Sequence, residues 1–197
     1  MCRKFTTYLL VVLLLLSGVS VFAQTNTALS FNGATSDYAT TNPGTFFVPT
    51  SGADMTVELW AYIPISAPTS APFYRFLSEG FSGSEFAIGY NSTNYHLYLV
   101  DSWTDVSGAT LTPGQWNHIA ITQDAVFDVR VFLNGVQVDS IADQTASFAI
   151  IANGMQTQFG TDVDNSTFFT GAIDQFRVWD YLRTPAQIKA GMYGNID

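Results

Sequence analysis

Met55-Thr56-Val57-Glu58-Leu59-Trp60-Ala61-Tyr62-Ile63 decides the fold. Val57, Leu59, Ala61 and Ile63 recur at every second position, and Glu58, Trp60 and Tyr62 fill the positions between them. A period of two belongs to a β-strand with one face in a core and the other turned away from it. The same short alternating runs recur on both sides of this stretch. Upstream are Ala28 to Phe31 and Tyr38 to Thr41. Downstream are Phe73 to Ser78, Glu85 to Tyr90, Tyr95 to Val100, Gln115 to Gln123, Asp128 to Leu133, Val136 to Ser140, Gln158 to Gly160 and Thr170 to Trp179. Clusters of Gly, Pro, Asn, Ser and Asp separate them, which is the signature of a sandwich or barrel. Asn134-Gly135 is the strongest hairpin signal, because both residues accept the positive φ of a tight turn. The alternation of Ile173, Phe176 and Val178 breaks at Asp174-Gln175, which predicts a bulge. Thr184 to Met192 is the one predicted helix, with Thr184 as cap, Pro185 in the first turn, and Ile188 and Met192 on one face.

The first residues read differently. Arg3 and Lys4 precede the unbroken apolar run Leu9 to Leu16, and Val21-Phe22-Ala23 ends it with a small residue. This is the three-part pattern of a signal peptide, too short to span a bilayer, so residues 1–23 are expected to be removed and 24–197 to form one domain. The only cysteine, Cys2, leaves with that segment, so the remainder is expected to hold together through its core without disulfides.

The chain carries 16 acids against 7 Lys and Arg, for a formal charge of −9, and losing Arg3 and Lys4 makes the balance more negative. This excludes the basic face that nucleic acid requires, and argues against an anionic membrane surface as partner. An acidic, oxygen-rich surface suits calcium, and also serves solubility.

Several phrases occur in a recognisable order: Leu29-Ser30-Phe31-Asn32-Gly33 with Asp37-Tyr38; Thr56 to Trp60; Gly114-Gln115-Trp116-Asn117-His118-Ile119-Ala120; Phe132-Leu133-Asn134-Gly135; Phe159-Gly160; Phe169 to Trp179; and Arg183 to Ile188. Together they resemble the laminin-G-like, concanavalin A-like lectin/glucanase superfamily, in its bacterial LamG-like jelly-roll branch, over residues 28 to 192. The resemblance implies an all-β, two-sheet antiparallel jelly-roll sandwich with a short C-terminal helix. It implies a module, extracellular or on the cell surface, that binds a glycan or a surface protein; a structural or protein-binding role is the alternative, and glycoside hydrolysis, the superfamily's catalytic activity, the less favoured one. It also implies that the acid of the Gly-x-Ile-Asp phrase, here Asp174, helps hold a structural calcium, with Asn32, Gly33 and Asp37 near the first strand as companions. The alternative for Asp174 is a carboxylate that accepts hydrogen bonds from backbone N–H or from Arg177.

Trp116 reads as a core anchor between the sheets, and Arg177 and Trp179 as an arginine–aromatic pair on one face. The candidate ligand-binding aromatics are Trp60 and Tyr62, which share one face of their strand with Glu58, and Tyr95, Tyr98 and Trp103 in a second aromatic stretch. Packing between sheets is the competing role for all five. Asp162, Asp164 and Asn165 form a second oxygen-rich cluster, which reads as a solvated turn. No enzyme signature is found. The glutamates are Glu58, Glu79 and Glu85, without the closely spaced acids of a glycosidase strand, and His96 and His118 lack zinc spacing.

Overall fold

The computed structural model describes residues 28–41, 53–81, 84–100, 104–126, 128–142 and 157–194. The predicted signal segment and Trp103 lie outside the described residues.

Among the described residues, twelve strands form two six-stranded sheets. The first contains β1 (Leu29–Asn32), β3 (Met55–Tyr62), β8 (Trp116–Gln123), β9 (Val129–Leu133), β10 (Val136–Ile141) and β12 (Thr170–Trp179), in the order β1-β12-β3-β8-β9-β10. The second contains β2 (Ala39–Thr40), β4 (Phe73–Phe81), β5 (Ser84–Asn91), β6 (His96–Val100), β7 (Thr104–Thr110) and β11 (Thr157–Phe159), in the order β2-β11-β4-β5-β6-β7. Every pairing is antiparallel. This is the two-sheet sandwich expected, with one short helix among the described residues, α1 (Pro185–Gly191).

The core lies between the sheets. The first contributes Val57, Leu59, Ala61, Ile119, Ile121, Val129, Val131 and Ile173, and the second Phe76, Phe86, Ile88, Tyr90, Leu97 and Leu99. Phe76, Tyr90 and Phe169 pack with ring centres 5.1 to 6.2 Å apart in stacked and edge-on pairs. Each such buried side chain contributes about 1.5–3 kcal/mol of transfer free energy.

Three local features carry over to the outer face of the first sheet. At Asn134 and Gly135 both φ angles are positive, 51° and 75°, closing β9 onto β10 as an Asn-Gly turn. In β12, Asp174 pairs with Trp60 and Arg177 with Glu58, so Gln175 and Phe176 together oppose Leu59. This is the predicted bulge, with Gln175 at φ 49°. The extra residue shifts the alternation, so Ile173 and then Phe176 and Val178 can all turn toward the core. The third feature is α1. Thr184 and Gln187 form a reciprocal capping box, and Ile188 packs on Ala120 and Phe132, covering part of the outer face.

Two expectations are corrected. Trp116 is 42% exposed, not a core anchor. It shares its parity with His118 and Ala120, whereas the core-facing residues of β8 are Ile119 and Ile121. The arginine stacked on Trp179 is Arg183, whose guanidinium carbon lies 4.2 Å from the ring centre. Arg177 instead turns toward the segment that follows α1. The strand β7 was not anticipated from the sequence.

Candidate functional site

An aromatic cleft opens on the outer face of the first sheet. The alternation of β3 sends Thr56, Glu58, Trp60 and Tyr62 outward, away from the core. The register places Trp116 opposite Tyr62 and His118 opposite Trp60 on one side, and Asp174 opposite Trp60 on the other. The Tyr62 and Trp116 rings lie 5.7 Å apart. Residues 191–194 cross over this end of the sheet and bring Met192 and Tyr193 to it. Trp60, Trp116, Asp174, Gln175, Met192 and Tyr193 line a cleft of about 290 Å³.

The walls are held by hydrogen bonds. Trp60 Nε1 donates to Met192 O at 2.9 Å, which fixes the indole, and the Tyr193 ring sits 5.4 Å from it. Arg177 donates to Gly191 O and to Gly194 O, each at 2.8 Å, and to the Gln175 side-chain oxygen. Burial pulls the Arg177 guanidinium below its ordinary value, against the opposing pull of Glu58. Asp174 Oδ1 accepts from Gln175 N at 2.7 Å, so part of its carboxylate stabilises the bulge. The resulting surface has two broad exposed rings, Trp116 and the 77% exposed Tyr193, beside one carboxylate and one amide.

Beneath α1 the face carries a sealed charge network. Glu58 and His118 are each 1% exposed, Glu58 binds the Arg183 guanidinium, and His118 Nε2 lies 3.3 Å from Glu58 Oε2. Arg183 also donates to Gln187 O at 2.8 Å, and Thr56 Oγ1 bonds both Tyr181 O and Arg183 N. The sequence had left Glu58 alone and taken His118 as structural. The structure gives Glu58 two basic neighbours and shuts the group away from solvent, where it anchors residues 181–191.

The remaining candidates are scattered. Tyr95 stacks on Tyr90 at 5.9 Å and packs against the core from the second sheet. Tyr98 is fully buried, stacked 4.0 Å from Phe73. Neither meets Trp60 and Tyr62. Of the expected ligand aromatics, those two line or flank the cleft. Trp116, Gln175, Met192 and Tyr193 were missed as binding residues. Parity in β8 would have placed Trp116 on the same face as His118, but nothing local to residues 192–193 reports that they return to this sheet.

The four residues expected to share a calcium do not converge. Asn32 pairs with Thr170, four residues along β12 from Asp174, which separates them by about 13 Å. Asp37 Oδ2 accepts from Asn32 N, and Asn32 Oδ1 from Ala34 N, so both are engaged in closing the turn around Gly33. This arrangement does not fit a single ion held by Asp174, Asn32, Gly33 and Asp37. Among the described residues, no three His, Cys, Asp or Glu side chains are grouped for a metal. Asp162 is likewise engaged: it accepts from the backbone and hydroxyls of Ser166 and Thr167, with Arg75 at 3.8 Å. Burial raises its pKa, but the Ser166 bonds, Arg75 and Thr167 outweigh that and hold the carboxyl below its ordinary value.

A two-sheet antiparallel sandwich with this strand order defines a jelly roll. The chain belongs to the concanavalin A-like lectin/glucanases superfamily, whose laminin-G-type model matches residues 32–189. It is 31% identical over 88 residues to the sushi, von Willebrand factor type A, EGF and pentraxin domain-containing protein 1 of Rattus norvegicus. That match covers 41% of this chain, and the chain spans 2% of that protein's length. Among solved structures it is similar to domain 4 of AbnA, an extracellular GH43 arabinanase of Geobacillus stearothermophilus, determined in complex with arabinotriose. The identity is 21% and the TM-score 0.61, over 83% of this chain and 75% of that one. It is also similar to the heptameric SAP-like pentraxin of Limulus polyphemus, at 16% identity and TM-score 0.59, over 83% and 80%. The serotype G botulinum neurotoxin binding domain matches at 14% identity and TM-score 0.56, over 82% and 41%. No helix among the described residues is long and apolar enough to cross a membrane.

Proposed function

We propose that this protein is an exported, non-catalytic module that binds carbohydrate in the Trp60–Trp116–Tyr193 cleft. The observation that carries this reading is the exposure of Trp116 and Tyr193 beside Asp174 and Gln175. Broad aromatic faces stack on the apolar C–H faces of sugar rings, while a carboxylate and an amide accept and donate to hydroxyls. The lectin-like fold and the sugar-bound arabinanase domain support the reading. The module reading is also supported by the position of Glu58, the acid nearest the cleft on β3, which lies sealed under α1, away from any substrate. Export is supported by the signal pattern at residues 1–23.

The test is titration of the purified chain with a panel of neutral oligosaccharides, arabino-oligomers included, followed by tryptophan fluorescence and calorimetry. Trp116→Ala should weaken a bound oligosaccharide by about tenfold, because a stacked ring contributes on the order of 1–2 kcal/mol, without lowering stability much at a half-exposed site. Silence across the panel, or unchanged affinity in the variant, would remove the cleft from the account. Export is checked separately: the N-terminus of protein recovered from culture medium should be Gln24.

A further inference from the structure

The basic residues are not spread evenly over the sandwich. Five lie between residues 28 and 194: Arg75, Arg130, Arg177, Arg183 and Lys189. Arg75 belongs to the second sheet, where it lies beside Asp162. The other four belong to the outer side of the first sheet, to α1 and to the chain that enters it. In β9, Val129 and Val131 enter the core, so Arg130 and Phe132 point outward. Arg177 and Arg183 converge on Glu58, and Lys189 rides on α1. Four of the five described cations of a chain of net charge −9 thus lie on one face.

Three of these four are accounted for. Arg177 clasps the residues after α1, Arg183 is bound to Glu58, and Lys189 sits in the last turn of the helix, where it complements the helix dipole. Arg130 is different. It is half-buried, and its guanidinium makes no hydrogen bond or ion pair with the side chain or backbone of any described residue. Its neighbours across the strands are Thr122 on β8 and Ser140 on β10. It lines a groove of about 270 Å³ beside the chain that enters α1, together with Thr122, Gln137, Phe132, Pro185 and Arg183. This groove shares no residue with the aromatic cleft.

We infer that this groove is a second binding site, for a carboxylate carried on a sugar ring, with Arg130 as its anchor. The planar guanidinium matches a carboxylate through two parallel N–H donors, a geometry a lysine does not offer. Thr122 and Gln137 supply the neutral donors and acceptors that ring hydroxyls require. Phe132 and Pro185 give the ring an apolar wall. The second positive charge, Arg183, strengthens the field even though Glu58 balances part of it. Acid-rich surfaces elsewhere on the chain repel a uronate, so approach is directed to this face.

The experiment titrates the purified full chain with trigalacturonate by calorimetry. Its arms are the carboxyl-reduced neutral trisaccharide and sodium acetate. Saturable binding is expected for trigalacturonate alone, weakening as salt rises from 50 to 500 mM, values chosen to span the screening range. Arg130→Ala should weaken it about tenfold or more, and Arg130→Lys should restore only part of the loss. Trp116→Ala should leave it unchanged, which separates this site from the cleft. Equal binding of acetate would reduce the site to a simple anion trap and overturn the sugar assignment. Absence of saturation up to about 10 mM, or an unchanged Arg130→Ala, would overturn the proposal outright. Since Arg130 is outside the core, a matching melting temperature confirms that the variant tests binding.

Discussion

Gly171 lies where β12 begins to run beside the end of β3, next to the Ala172–Tyr62 pair. Its φ is 150°, and a Cβ there would meet the Tyr62 carbonyl oxygen and the Phe169 ring. Both neighbours are fixed, one by the sheet and the other by the Phe76 and Tyr90 rings. Gly171→Ala should therefore destabilise by about 3 kcal/mol, combining backbone strain with overpacking. Urea unfolding should show a lower midpoint with an unchanged slope. Asp162 offers a second prediction at this scale. Its pKa is depressed on folding, so its contribution is complete above the unfolded carboxyl value of about 4 and fades as pH falls through the lower folded value. Melting temperature should fall as pH drops below about 4. Asp162→Asn should cost about 3 kcal/mol at neutral pH, by leaving its buried donors and Arg75 poorly matched, and should flatten that acid limb. A wild-type acid limb in the variant would show that other carboxylates set it.

At the scale of elements, the alternation of β3, β8 and β9 was legible because each strand sets apolar residues against polar ones over several positions. The β12 bulge was legible for the same reason, since only an extra residue reconciles Ile173 with Phe176 and Val178. β7 was not. Asp105, Ser107 and Gly108 give it poor strand propensity, and its pairing with β6, Leu97 opposite Val106, makes it a strand. Trp116 was misread because its bulk was weighed above its parity. The cleft was only half visible, since Met192 and Tyr193 reach it through a tertiary return held by Arg177 and Trp60. That return depends on the charge network under α1. Removing Glu58 leaves Arg183 and His118 buried without their carboxylate, so Glu58→Ala should cost about 3–5 kcal/mol. The loss should concentrate in residues 181–194. Amide exchange there should accelerate more than in β4–β6, and trypsin should cut faster after Arg183. Uniform acceleration across both sheets would place the network in global stability instead.

For the whole molecule, the question is what holds the sandwich together if, as proposed, the chain is exported and its one cysteine is removed with the signal. The resemblance pointed to calcium, and the register argues against the ligand set it implied. Asp174 spends one oxygen on the bulge, Asp37 and Asn32 spend theirs on the turn at Gly33, and the two groups lie about 13 Å apart along β12. The core is instead continuous from Phe31 to Ile173 and rich in stacked rings. Stability should therefore come from burial, and a chelator should leave the melting temperature unchanged to within about 1 °C at matched ionic strength. The comparison is sensitive. An ion present at 100 times its Kd would add about 2.7 kcal/mol, which in a domain of this size corresponds to a shift of about 5–10 °C. A fall of that size on chelation, reversed by calcium but not by magnesium, would mean that an ion holds the fold through ligands other than these four.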